Sequence, residues 1–87
     1  MQKITFRAEI FPEGNVYVGL CPELNVSSFG GSIEEARKAL QEAVEAFVEE
    51  CEAMGTLEEV MEEAGFIKKG GVWTSPKSVK QELLSVG

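Results

Sequence analysis

The sequence contains no histidine and no aspartate. Without histidine, no side chain has an ordinary pKa near neutral pH, and no imidazole is available to a transition metal. Nucleophilic mechanisms built on serine or cysteine lose their usual base as well. Without aspartate, all 15 acidic residues are glutamates. A metal-dependent nuclease needs acids clustered around two metals. Residues 1–32 supply only Glu9, Glu13 and Glu23, and the last two fall in predicted turns. There are two cysteines, Cys21 and Cys51, too far apart for a CxxC unit and too few for a disulfide framework. They read as reduced, mostly buried thiols. No apolar run reaches the ~18 residues of a membrane helix, and the chain opens on a strand-like pattern instead of a signal peptide. Together these absences predict a cytoplasmic chain that is not an enzyme and uses no metal and no cofactor.

What is present describes a small acidic domain. The chain has 87 residues, 44% hydrophobic and 26% charged, which is globular composition for a single domain spanning 1–87. A domain of this size buries only about 60–65% of its unfolded surface, so a homo-dimer or tetramer is an expected remedy. The net charge is −7. It is unevenly spread: residues 33–65 hold 11 glutamates against Arg37 and Lys38, whereas residues 66–87 hold four lysines against Glu82. An acidic surface repels phosphate backbones, so direct nucleic-acid binding is not expected, and a basic protein partner is.

Periodicity outlines the elements. In residues 3–11, Ile4, Phe6, Ala8 and Ile10 alternate with polar residues, as in a half-buried strand. Pro12-Glu13-Gly14-Asn15 reads as a turn into a second strand, 16–20, with Val16, Val18 and Leu20 on one face and Tyr17, exposed or at an interface, on the other. Pro22 ends that ladder because it has no N–H. A third, short strand covers 25–29. Ser32-Ile33-Glu34-Glu35 is a capping box opening a helix over 33–54, with Gly55 as its stop. Its apolar stripe, Ile33, Ala36, Leu40, Ala43, Val44, Phe47, Val48, Cys51 and Met54, should lie on the sheet. Thr56-Leu57-Glu58-Glu59 is a second capping box, opening a helix over 57–64. Phe66 to Thr74 is a small hairpin about Gly70-Gly71, closed by Ser75-Pro76. Residues 78–86 fit a helix through Val79, Leu83 and Val86, with Ser75 as N-cap, and fit a strand equally well. The fold class is α+β: a three-stranded antiparallel sheet with one long helix across it, a short helix, a small hairpin and, on one reading of the tail, a final strand.

The stretch from Val18 to Ala43 carries a resemblance. Cys21-Pro22-Glu23-Leu24, followed by Phe29-Gly30-Gly31-Ser32-Ile33-Glu34-Glu35-Ala36 with Leu40 and Ala43 beyond, resembles the HicB-like family over about the first half of the chain. Pro22, Gly30, Gly31, Ser32, Glu35 and Ala36 all have structural reasons to be there, in strand ending, tight entry, capping and close packing. The resemblance implies a degenerate ribonuclease H-like fold ending in a strand. It also implies an antitoxin that neutralises a small basic HicA-type toxin that cuts RNA. Many relatives add a carboxy-terminal DNA-binding module; residues 66–87 are too few for one. The alternative is an orphan homo-oligomeric binding protein of the same fold with no toxin.

Two features are candidates for partner binding. Glu42, Glu45, Glu49 and Glu52 share one helix face, either as a solvated surface or as a docking stripe. Like charges at i,i+4, as in Glu45 and Glu49, weaken a helix by ~0.2–0.5 kcal/mol, which a cationic partner would offset. The cations are Lys68, Lys69, Lys77 and Lys80 of a sister subunit, or a basic toxin. Glu34 is expected to pair with Lys38. Trp73, with Phe66 and Val72, is either a secondary core or an interface anchor.

Overall fold

The computed structural model describes residues 2–75 and 78–87. The order is β1 (Lys3–Thr5), β2 (Glu9–Glu13), β3 (Val16–Cys21), β4 (Val26–Gly30), α1 (Ile33–Met54), α2 (Leu57–Glu63), β5 (Ile67–Lys69) and β6 (Val72–Thr74). The class is the expected α+β, with a three-stranded antiparallel sheet β2-β3-β4 and the long helix α1 packed across it.

The alternating segment 3–11 is not one strand. Residues 3–5 pair in parallel with β6, Ile4 opposite Trp73, and residues 9–13 pair antiparallel with β3. Alternation reports which residues share a face; it does not name the partner strand, and here the two halves have different ones. The hairpin β5-β6 accordingly acquires β1 as a third strand, in the order β1-β6-β5. Its turn is Gly70-Gly71 with positive φ at both, as expected. The backbone N–H of Ser75 donates to the carbonyl of Thr5 at 3.1 Å, extending that ladder by one bond. Pro12 lies inside β2, opposite Tyr17, and not in a turn; the turn is Gly14-Asn15 alone. A proline is tolerated there because β2 is an edge strand.

Helix α1 spans the predicted residues. The Ser32 Oγ accepts from the Glu35 N–H at 3.1 Å, but the Glu35 carboxylate reaches Gly31, not Ser32, accepting from its N–H at 3.0 Å. The cap therefore ties the helix to the last glycine of the strand–helix corner. At the far end Gly55, at φ 73°, places its own N–H on the Glu52 carbonyl and that of Thr56 on the Cys51 carbonyl. Gly65, at φ 88°, ends the second helix with the same pair of bonds, to Glu62 and Met61. This Schellman geometry needs a left-handed residue, which glycine adopts without strain. The second capping box does not form: Thr56 is at φ −112°, ψ 1°, with no side-chain cap bond, and its hydroxyl donates to the Cys51 carbonyl at 3.4 Å. The Cys51 carbonyl thus accepts both the backbone N–H and the hydroxyl of Thr56, and the hydroxyl is turned back toward α1, away from the first turn of α2.

One core joins both sheets and both helices. It contains Cys21, Leu24, Leu40, Val44, Val48, Cys51, Leu57, Met61, Phe66 and Trp73, with Ile4, Phe6, Val26 and Phe47 packed at its margin. Ile33 and Met54, at the two ends of the predicted stripe, are exposed. The described tail, 78–87, contains neither a helix nor a final strand. Pro76 and Lys77, and with them the predicted Ser75-Pro76 closure, lie outside the described residues. No helix among the described residues is long and apolar enough to cross a membrane.

Candidate protein-binding surfaces

The residues of the quoted motif lie at the two ends of β4. Pro22 to Asn25 turn between β3 and β4, with the Asn25 N–H on the Pro22 carbonyl at 3.2 Å and Asn25 itself at φ 54°. Glu23 in this turn forms an ion pair with Arg7, pinning the link between β1 and β2 to the sheet. At the other end of β4, Gly30 lies against the first turn of α1: a Cβ there would come within 2.6 Å of the Ala36 nitrogen. Gly19 on the neighbouring strand faces Leu40, where a Cβ would lie 3.2 Å from that residue's Cβ. Small residues at Gly19, Gly30 and Ala36 thus let helix and sheet backbones approach closely. These positions carry architecture, as their chemistry predicts.

This packing places the glutamates on the solvent side of α1. Ala36, Leu40, Val44, Val48 and Cys51 are the buried residues of the helix. Glu42, Glu45 and Glu49 are exposed and Glu52 is half-buried. Among the described residues no ion pair reaches any of the four. Glu34 pairs with Arg37 at 3.0 Å and not with Lys38, Lys80 pairs with Glu82, and Arg7 with Glu23. Arg37 is one residue closer to Glu34 along the helix, and its forked guanidinium spans the i,i+3 separation readily. Lys68 lies over the Trp73 ring, 5.5 Å from its centroid. Trp73 itself is 2% exposed and its Nε1–H donates to the Gln2 Oε1 at 2.8 Å. It is a core residue of this chain and presents no surface to a partner.

The structure adds a surface that the sequence reading did not single out. Register pairs Phe11 with Val18 and Val18 with Phe29, one row across all three strands, and Leu20 lies beside them. Because Gly19 and Cys21 face α1, the alternate residues Val16, Val18 and Leu20 face away from it. Phe11 is 41% exposed and Phe29 69% exposed, and none of this row belongs to the core. The face is apolar and open, with Glu9 and Glu13 at its margin. The signal for it was in the strand itself: the glycine between Val18 and Leu20 marks the side a helix can approach. The bulky residues are then left on the other side.

Comparison with known protein families, curated proteins and solved structures finds no match to this chain. The resemblance stated above therefore rests on its quoted residues alone.

A shallow groove of about 260 Å³ runs between β1 and α1, floored by Ile4, Phe6, Val44 and Val48, with Lys3 and Glu45 also lining it. Among the described residues no three thiols or carboxylates converge as a metal site. Cys21 and Cys51 are unpaired and buried. Burial pushes the Cys21 thiol above its ordinary value, and the Glu23 carboxylate adds to the effect; backbone N–H groups of Leu24 and Glu23 and the Arg7 charge oppose it without prevailing. Reactivity follows the thiolate, so Cys21 is expected to react with a disulfide reagent at pH 8 on the order of 100-fold more slowly in the native than in the unfolded chain. The sign for stability follows. A raised native pKa means the unfolded chain releases its proton first, so this contribution is intact below the ordinary value of 9.0 and is lost as pH rises from there towards the native pKa. Thiol titration in and out of urea checks the first expectation. Prompt modification of both cysteines in the native chain would contradict it.

Proposed function

We propose that this chain is a non-catalytic protein-binding subunit whose acidic α1 face receives a small basic protein, in the manner of a HicB-like antitoxin holding a basic RNA-cleaving toxin. The observation that supports this most directly is the set Glu42, Glu45, Glu49 and Glu52, displayed outward on α1 with no cation paired to it among the described residues. Repulsion within such a row is relieved when positive charge arrives, and the long-range field of a −7 chain raises the rate of encounter with a basic partner. The lack of histidine and aspartate supports a binding role over a catalytic one. A second reading, a homo-oligomer of the same fold in the cytoplasm with no toxin, is favoured by the open apolar face of the β2-β3-β4 sheet.

The test is capture of the tagged chain from its native cytoplasm, followed by the double change Glu45→Lys and Glu49→Lys. A stoichiometric small basic protein, released at high salt, is the expected companion. The variant should lose at least about tenfold in affinity for it, with the greatest loss at low salt. Both positions are exposed, so circular dichroism and thermal unfolding should remain those of the parent. Undiminished binding by the double variant would remove the acidic face from the interface.

A further inference from the structure

The described tail, residues 78–87, leaves the fold with its apolar side chains uncovered. Val79 is 104% exposed, Leu83 100%, Leu84 82% and Val86 102%. Ser78 and Gln81, hydrogen-bonded to each other at 3.0 Å, line an open hollow together with Thr5, Phe6 and Arg7, while the apolar residues of the tail face outward. The open sheet face has the complementary problem: Phe11, Val18, Leu20 and Phe29 form an apolar surface with nothing on it.

The size of the mismatch is measurable. The chain exposes 6355 Å², whereas a compact monomer of 9.5 kDa exposes about 5,000 Å². Its radius of gyration is 14.4 Å, against about 12 Å for a compact 87-residue domain. The excess, about 1,300 Å² per copy on that scaling, is more than the roughly 800 Å² per partner of a standard stable interface.

We propose that the tail of one copy packs on the open sheet face of a second copy, and the reverse, so that the protein is a two-fold dimer held by exchanged tails. Each chain carries one apolar strap and one apolar face, and a two-fold axis satisfies both at once with no unmatched surface left to propagate. Leu83, Leu84 and Val86 cover the row Phe11, Val18 and Phe29. Lys80 and Glu82 pair with each other within the tail, so the side chains of the strap carry no net charge toward a face margined by Glu9 and Glu13, and its apolar residues supply the contact. This interface lies on the side of the sheet away from α1, so it stands or falls separately from the acidic face proposed above.

The test uses the full chain and light scattering at micromolar concentration. The parent is expected at twice 9.5 kDa. Two double variants, Leu83→Ser with Leu84→Ser, and Phe11→Ser with Phe29→Ser, should each raise the dimer dissociation constant by on the order of 100-fold or more. All four side chains are exposed in the single chain, so the far-ultraviolet spectrum should not change. Mixing the two variants supplies one intact tail and one intact face, and should restore a heterodimer weaker than the parent dimer but tighter than either variant alone. A monomeric parent overturns the proposal, because the tail then folds back on its own sheet or stays in water. A dimer that survives the tail substitutions overturns it too, since faces would then meet directly. So does a mixture that yields no heterodimer.

Discussion

Trp73→Ala is expected to lower stability by about 3–5 kcal/mol, the range for truncating a large buried aromatic. Trp73 is 2% exposed and sits on β6, the middle strand of β1-β6-β5. It stands opposite Ile4 on one side and Lys68 on the other, and belongs to the core cluster that includes Leu57, Met61 and Phe66. Removing the ring leaves a cavity where the second sheet meets both helices, and it removes the Nε1–H bond to Gln2 that anchors the amino terminus. An 87-residue domain has only about 4–13 kcal/mol in total, so the variant should approach half-unfolding under mild conditions. Urea unfolding followed by circular dichroism is the measurement, because the variant has no tryptophan left to report. Trp73→Phe keeps most of the volume and should cost only about 1–2 kcal/mol. A Trp73→Ala variant as stable as its parent would mean that the second sheet does not share the main core.

Gly30→Ala should be nearly as damaging, at about 3 kcal/mol, for the opposite reason. The added Cβ would lie 2.6 Å from the Ala36 nitrogen and 2.7 Å from the Glu35 carbonyl carbon, both backbone atoms that cannot rotate away. Strand and helix must part, at the upper end of the cost of overpacking, and the melting temperature should fall by roughly 12–24 °C. Gly31→Ala is the control. Its Cβ would meet only the Glu35 Oε2, at 3.3 Å, the far end of a flexible side chain. That substitution should cost about 0.5 kcal/mol or less. Equal melting temperatures for the two variants would show that β4 and α1 lie further apart in solution than the structure places them.

Much of this was legible along the chain because its causes are local. A serine three residues ahead of a glutamate, an apolar stripe at three- and four-residue spacing and a closing glycine are all contained within α1, and the helix forms over the residues they delimit. The Gly70-Gly71 hairpin is local in the same sense, and so is the outward glutamate row, which follows from the helix repeat once the apolar stripe is known. Where the cap did not form, at Thr56, the residue gives both its N–H and its hydroxyl to the Cys51 carbonyl of the preceding helix, and a local sequence pattern contains no information about a partner set by the turn between two helices.

The remaining features depend on which distant segments meet. Residues 3–11 determined an alternation, but the split into a parallel strand on β6 and an antiparallel one on β3 was decided by packing, since β2 meets its hairpin neighbour while the partner of β1 lies near the other end of the chain. The same holds for Trp73: an apolar ring near a hairpin serves as core or as contact according to what lies over it, and the helices lie over it. Composition by itself determined an acidic, histidine-free chain whose carboxylates must largely face water. The tertiary structure decided that α1 covers the glycine side of the sheet and leaves Phe11, Val18 and Phe29 in the open. The physical reason is close packing: a helix settles where backbones can approach most nearly, and the larger side chains remain on the face it does not take.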